Sequence, residues 1–455
     1  VSAGALTAGR RRAATGAKKK RRAKAGSASP EYNMLLTATL CLLAFGAVMV
    51  FSASSTTQVL SHGGLSNSVY FLKRTVVFGA LGLVVMHLMA RHGLRLVRAL
   101  TPVLLLGSFF GLVAVLGIGS TVNGSSRWIG AGVVQIQPSE LAKVCLVLYG
   151  AHVFAAHPTW PKTVRGMLPY LLVTAGACGL MMLEPDLGTA MVTTFAVSAT
   201  LVAAGARMRD LLLIAAVAAF LVLLLILVEP YRRDRLIGFL NPGADAAGTG
   251  FQALQAKIAL GSGGLGGVGV GNGVQKAFYL PEAHTDMIAA VIGEEMGFAG
   301  IAAIVSLFSL FGYAGFRIAQ SAKDRYGKLL VAGLTSMILV QAVINLYAVM
   351  GLAPLTGVPL PFVSYGNSSL LVSLAAVGLI LNVARGGTAA SAARPARRTA
   401  AAPRAGKLRV VEGGRSPARG RSGSSGAKSR QSAGRSGGNR GARRAGHGGR
   451  RRASR

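Results

Sequence analysis

Ten stretches of this chain stay apolar over close to the length of a membrane crossing, and the polar positions collect between them. They cover residues 34–53, 74–90, 99–119, 139–156, 167–183, 187–206, 211–228, 288–316, 328–350 and 369–385. A helix that crosses a bilayer needs about 20 predominantly apolar residues. Backbone groups in lipid must be satisfied within the structure, and no series of alternating ten-residue strands offers a barrel instead. The pattern predicts an all-α polytopic membrane protein with about ten transmembrane helices.

Composition supports this: 52% of residues are hydrophobic and only 14% charged. The net charge of +35 sits mostly outside the apolar stretches. Residues 1–32 carry nine Lys/Arg against Glu31, and residues 386–455 carry nineteen against Glu412. Three parts follow: a basic tail 1–32, a ten-helix membrane domain 33–385 with a large loop 229–287, and a second basic tail 386–455. Both tails lack the apolar content of a core and read as disordered. A polybasic segment beside a membrane lies on anionic headgroups and sets topology, so no nucleic-acid partner is expected. By the positive-inside rule, loops with Arg91, Arg95 and Arg98, with Lys162 and Arg165, and with Arg317, Lys323 and Arg325 are cytoplasmic, as are both termini. The loops near 184–187 and 351–368 have no Lys or Arg and read as external. The first apolar stretch is full length, so no cleavable signal is expected. Cys41, Cys145 and Cys178 fall inside spans as packing residues, and the histidines form no ligand spacing.

The acids are distributed unevenly in this topology. Glu140, Glu184, Asp186, Glu229, Asp234, Asp245, Glu282, Asp286, Glu294 and Glu295 all crowd the outer half. A charged group costs about 2.5–3.5 kcal/mol at a helix centre on insertion scales, so such clusters mark a pathway or reaction site. Pro138 suits the first turn of a helix, with Glu140 and Lys143 then i, i+3 neighbours. That pair reads either as a mutual neutralisation inside the bilayer or, with Arg127, as a cationic site for an anionic headgroup. Trp128 fits an interfacial belt. Glu184-Pro185-Asp186 is a two-carboxylate turn between adjacent spans. The Gly261–Gly269 stretch contains a formal GxGxxG, yet no strand precedes it, so a close-packed or flexible glycine loop is expected. Thr285 reads as a helix N-cap, with Asp286 beside His284 at the outer end of the helix that follows. Residues 351–368 hold too many prolines and glycines for a helix and are expected to fold back over the site.

RWIG followed by QPSELAK, EPDLGTAM, YLPEAHTD with IGEE, and TGVPLPFVSYGNSS together resemble the SEDS family of the FtsW/RodA/SpoVE group, most closely its cell-division FtsW branch. The resemblance covers residues 34–385. It implies ten spans with both ends cytoplasmic, and a peptidoglycan glycosyltransferase that polymerises lipid II at the outer face of the bacterial cytoplasmic membrane, at the division septum. It implies Asp286 as the essential acid and Trp128, Glu140, Lys143 and Asp186 as residues on which activity depends. Arg127, Glu184, His284 and Ser364 complete the expected substrate-binding or site-shaping set. The partners it implies are lipid II, undecaprenyl pyrophosphate, a class B penicillin-binding protein and other divisome proteins. Asn367 stands where the family usually has Gly, and Met287 where it usually has Phe.

The chemistry fits this expectation. An acceptor hydroxyl attacks the donor's anomeric carbon, and a pyrophosphate leaves with inversion; one carboxylate base is enough because the leaving group is already good. Lys143 and Arg127 are the cations available to the departing pyrophosphate. A divalent cation (Mg or Mn) is an expectation from pyrophosphate chemistry alone, with no ligand motif to assign it. The alternatives are a lipid II flippase, against which the outer placement of the acids argues, and a non-catalytic division scaffold.

Overall fold

The computed structural model describes residues 29–62, 70–122, 125–130, 135–228, 230–243, 245–248, 250–277 and 279–387, which fall in one compact unit, Val1–Arg394. The basic tails beyond 29 and 387 and Glu229 lie outside the described residues. Nine helices among the described residues are long and apolar enough to cross a membrane. One of these, Tyr70–Ile118, is 49 residues long, enough for two crossings.

The helices are α1 (Pro30–His62), α2 (Tyr70–Leu88), α3 (Leu94–Ile118), α4 (Pro138–Ala156), α5 (Val164–Leu183) and α6 (Leu187–Ala204). Then come α7 (Met208–Val228), α8 (Pro230–Leu240), α9 (Phe251–Gly263), α10 (Ile288–Ser321), α11 (Arg325–Val349) and α12 (Asn367–Ala384). All ten expected spans are found. The loop expected between the second and third is instead a π-helical turn, Met89–Gly93. It sits where the path reverses. α2 follows α12 as far as Met89, whose carbonyl accepts from Asn382 Nδ2 at 3.0 Å. α3 then runs back along α4, from Arg98 over the Tyr326 ring to Gly111 against Pro138. Arg385 Nη2 donates to Tyr32 Oη at 2.7 Å, so the first helix begins where the last ends and the number of crossings is even.

That shared end is rich in arginine. Arg325 donates through Nε to Phe154 O at 3.0 Å and through Nη2 to Ala204 O at 3.1 Å. One guanidinium thereby caps the C-termini of α4 and α6, where carbonyls lack helical partners. α11 is the central helix, with 72% of its most apolar window buried, and it packs against α4, α6, α10 and α12. α7 is the opposite case: 6% of its window is buried, which leaves nearly its whole surface for lipid.

The loop 229–287 is not one irregular segment. It contains α8 and α9, and its glycine run is close-packed against α10 rather than flexible. A short hairpin, β1 (Ser120–Val122) with β2 (Ser125–Trp128), was not expected; it follows α3 directly and delivers Arg127 and Trp128. Residues 351–366 are non-helical as expected, and buried at Val358, Leu360, Phe362 and Val363. Polar side chains of α11 satisfy their backbone: Asn345 Nδ2 donates to Val358 O at 2.8 Å and Gln341 Nε2 to Pro359 O at 3.0 Å. Irregular backbone at this depth survives only under such cover.

Candidate active site

Asp286 closes the turn that leads into α10. Its carbonyl accepts from Asn345 Nδ2 at 2.7 Å, which ties the turn to α11. Buried Leu280, Ala283 and Met287 flank it in sequence. Loss of solvent, reinforced by the negative charge of Glu282 and opposed by Arg235, pushes the Asp286 carboxyl up to about 7. Met287, the departure from the usual Phe, is 1% exposed and serves as packing. Thr285 is not the N-cap. That position is Met287, without a side-chain bond, because Thr285 Oγ1 turns back to Glu282 Oε2 at 2.6 Å.

Arg127 reaches the same place. Its Nε donates to Glu184 O at 3.3 Å and its Nη2 to Pro185 O. Arg127 Nη1 and Asp286 Oδ2 lie 3.9 and 4.0 Å from one point beside Gly357, the place a Cβ would occupy. Gly357 has φ 69°, a left-handed backbone that glycine adopts without strain, and its missing side chain leaves the space between cation and acid open. Trp128 is half-buried next to Arg127.

Glu184 is 1% exposed, and neither carboxyl oxygen has a hydrogen-bond partner. Burial and the neighbouring Asp186 push it up to about 8, against the pull of Arg127. Both effects favour its protonated form. Asp186 is a structural tie: Oδ1 accepts from Thr189 N at 3.1 Å as the N-cap of α6, while Oδ2 accepts from Gln137 Nε2 at 3.1 Å and Ser139 Oγ at 3.3 Å.

The Glu140–Lys143 pair is a brace. Lys143 Nζ lies 2.8 Å from Glu140 Oε1 and 2.8 Å from Gln341 Oε1, and the lysine is 1% exposed. With both partners buried in this way, the pair fits the mutual-neutralisation reading, while Arg127 reaches the open space beside Gly357. Ser364 Oγ accepts from Leu360 N at 2.8 Å, a bond within the fold-back segment. His284 packs against both Phe71 and Tyr365, with centroids 4.3 and 5.6 Å away, and burial lowers its proton affinity, so it stays neutral. Gln137, Arg235, Gln341 and Asn345 were not singled out from the sequence. Gln341 and Asn345 had a signal: two amides four apart on an apolar helix lie on one face.

An apolar groove of about 530 Å³ lies between α6, α7 and α11 and extends to Pro185 and Thr356, next to this site. Met191, Phe195, Val222 and Val343 are among its apolar lining, and Pro185, Arg235 and Thr356 also line it. Among the described residues no three His, Cys, Asp or Glu stand together as a metal-ligand set.

Comparison with known proteins agrees in extent with this architecture. Residues 32–388 match the cell cycle protein family FtsW/RodA/SpoVE. The probable peptidoglycan glycosyltransferase FtsW of Trichlorobacter lovleyi is 41% identical, over 78% of this chain and 94% of its own. Stage V sporulation protein E of Bacillus subtilis is 39% identical, over 77% of this chain and 96% of its own. A solved structure described as showing structural coordination of polymerization and crosslinking by a peptidoglycan synthase complex superposes with a TM-score of 0.63. It is 31% identical and covers 77% of this chain and 96% of its own. The rod shape determining protein RodA of Thermus thermophilus superposes with a TM-score of 0.57 at 29% identity, over 77% and 95% of the two chains. With the family match spanning every described crossing, the chain belongs to the FtsW/RodA/SpoVE family of cell cycle proteins, on its FtsW side.

Proposed function

We infer that the chain is a peptidoglycan glycosyltransferase of the bacterial cytoplasmic membrane that polymerises lipid II. The observation that carries this reading is the open space beside Gly357 reached by Asp286 and Arg127, next to an apolar groove. A lipid-linked sugar pyrophosphate has three parts, and the site offers each a counterpart. The polyprenyl tail suits the groove, the pyrophosphate suits Arg127, and the acceptor hydroxyl suits a carboxylate tuned close to neutral pH. In the transfer, Asp286 takes the proton of the acceptor 4-hydroxyl as that oxygen attacks the donor's anomeric carbon. The carbon–oxygen bond to pyrophosphate breaks on the opposite face, and Arg127 meets the charge that develops there. Purified protein given lipid II in detergent should form glycan polymer, where transport has no meaning; absence of polymer from folded protein would favour the flippase reading.

The arginine-rich end is proposed as cytoplasmic and the Asp286 end as external, on the positive-inside rule. Leu265, 81% exposed on the Asp286 side of the loop, gives a test. Leu265→Cys should react in intact cells with a membrane-impermeant thiol reagent and Thr159→Cys should not; the reverse would invert the topology. The reading places the protein at the septum, and it implies a class B penicillin-binding protein that cross-links the new strands, together with other divisome proteins.

A further inference from the structure

α10 is a broken helix, and the break is filled by a strap. At Gly297 the backbone turns to φ 63° and ψ −157°, and the helical bonds on either side of it are exchanged for bonds to residues 264–269. In a continuous helix Phe298 N would donate to Glu294 O, and Ala299 N to Glu295 O. Here Val268 N takes Glu294 O at 3.0 Å and Gly269 N takes Glu295 O at 2.9 Å. Phe298 N and Ala299 N donate instead to Gly264 O and Leu265 O at 2.9 and 3.2 Å. A Cβ at Gly267 would run into Glu295 O, so the strap's approach depends on glycine.

The side chains continue the same arrangement. Glu294 Oε1 accepts from Val274 N at 2.8 Å and Gln275 N at 3.1 Å. Lys276, 1% exposed, donates to Glu295 Oε1 at 2.6 Å, Ser52 Oγ at 3.0 Å and Gly271 O at 2.9 Å. Ser52, on α1, also donates to both Glu295 carboxyl oxygens, at 2.8 and 2.7 Å. The strap and the first part of α10 therefore form one unit, and the Lys276–Glu295–Ser52 cluster pins that unit to α1. Asp286 stands two residues before α10 begins, on the pinned unit.

We propose that Lys276, Glu295 and Ser52 are positioning residues for the transfer: they hold the strapped half-helix so that Asp286 faces Arg127 across Gly357. This rests on the reading of Asp286 as the base, but its own observable is the geometry of the strap. A buried ion pair that loses one member leaves the other charge uncompensated, whereas an apolar replacement of both is tolerated. The contrast between single and double variants is therefore the test.

Lipid II polymerisation and amide hydrogen exchange would be measured on the full chain for Lys276→Met, Glu295→Met, their double variant and Ser52→Ala. Each single change at 276 or 295 should lower kcat by tenfold or more with KM within twofold. Exchange at 264–276 and 294–299 should accelerate in the same variants. The double variant should recover most of both, and Ser52→Ala should show a smaller loss in the same direction. Faster exchange with an unchanged kcat would overturn the positioning role while leaving Asp286 as base. A fall in kcat with unchanged exchange, or a double variant no better than the singles, would equally overturn it. Should a single variant not fold, the double and Ser52→Ala decide: both must retain the protected strap and most of kcat. Full activity in Asp286→Asn is the separate result that would sink the base reading itself.

Discussion

Asp286→Asn is expected to lower the rate of lipid II polymerisation by about 10²–10⁴-fold, the usual contribution of a general base. The amide keeps the size of the side chain and leaves the carbonyl bond from Asn345 in place, so folding and lipid II binding should persist. The wild-type rate should also rise with pH through about 7, where Asp286 loses its proton, and level off above. Stability runs the other way. Asp286 is raised in the fold from 3.8, so the stability tied to its proton is complete below 3.8 and is lost as pH rises through about 7. Glu282→Gln is the control: removing its charge should move the acid limb to lower pH and leave the plateau nearly unchanged. A variant Asp286→Asn that keeps more than about a tenth of the wild-type rate lies outside the range of general-base effects and would remove Asp286 from this role.

Lys143→Met should cost about 3–5 kcal/mol of stability, because it strands the Glu140 charge in the interior. Lys143 also holds Gln341, whose Nε2 supports Pro359 O, so the fold-back segment loses a support in the same step. Thermal unfolding in detergent would measure this, and a transition unchanged from wild type would refute the brace. The double variant Glu140→Met with Lys143→Met replaces the pair by apolar side chains of similar volume and should recover most of the loss. Activity then separates the two readings of the pair. A stable double variant that polymerises lipid II makes the pair structural; a stable but inactive one would show that the charges meet substrate.

Much of this was legible because a bilayer imposes a one-dimensional rule on the chain. Each span had to be apolar over nearly its whole length, so the ten segments could be read from hydropathy alone. Pro138 and the Glu140–Lys143 spacing depend on helix geometry within one turn, and the structure has them as read. The prolines and glycines of 351–368 excluded a helix, and the segment does fold back. What escaped depends on partners far away in sequence. α8 and α9 lie in a segment without a full apolar span, so nothing marked them against a loop. The Met89–Gly93 turn was read as a loop because Arg91 and His92 are polar, yet a π-helical turn accommodates them. Thr285 has the residue type of an N-cap, but Glu282 competes for its hydroxyl. The exchange of bonds at Gly297 joins residues about thirty apart and cannot be read from either segment alone.

The bond between Arg385 and Tyr32 has a consequence for how firmly the molecule is oriented. Because the first and last crossings end side by side, the flanking segments 1–28 and 388–455 both depart from the arginine-rich end. Residues 1–32 and 386–455 together bear 28 Lys and Arg. In the proposed orientation an inversion would drag this charge through hydrocarbon and against an inside-negative voltage, at about 2.3 kcal/mol per charge for each 100 mV. In that orientation the charge of the tails would act as ballast against inversion.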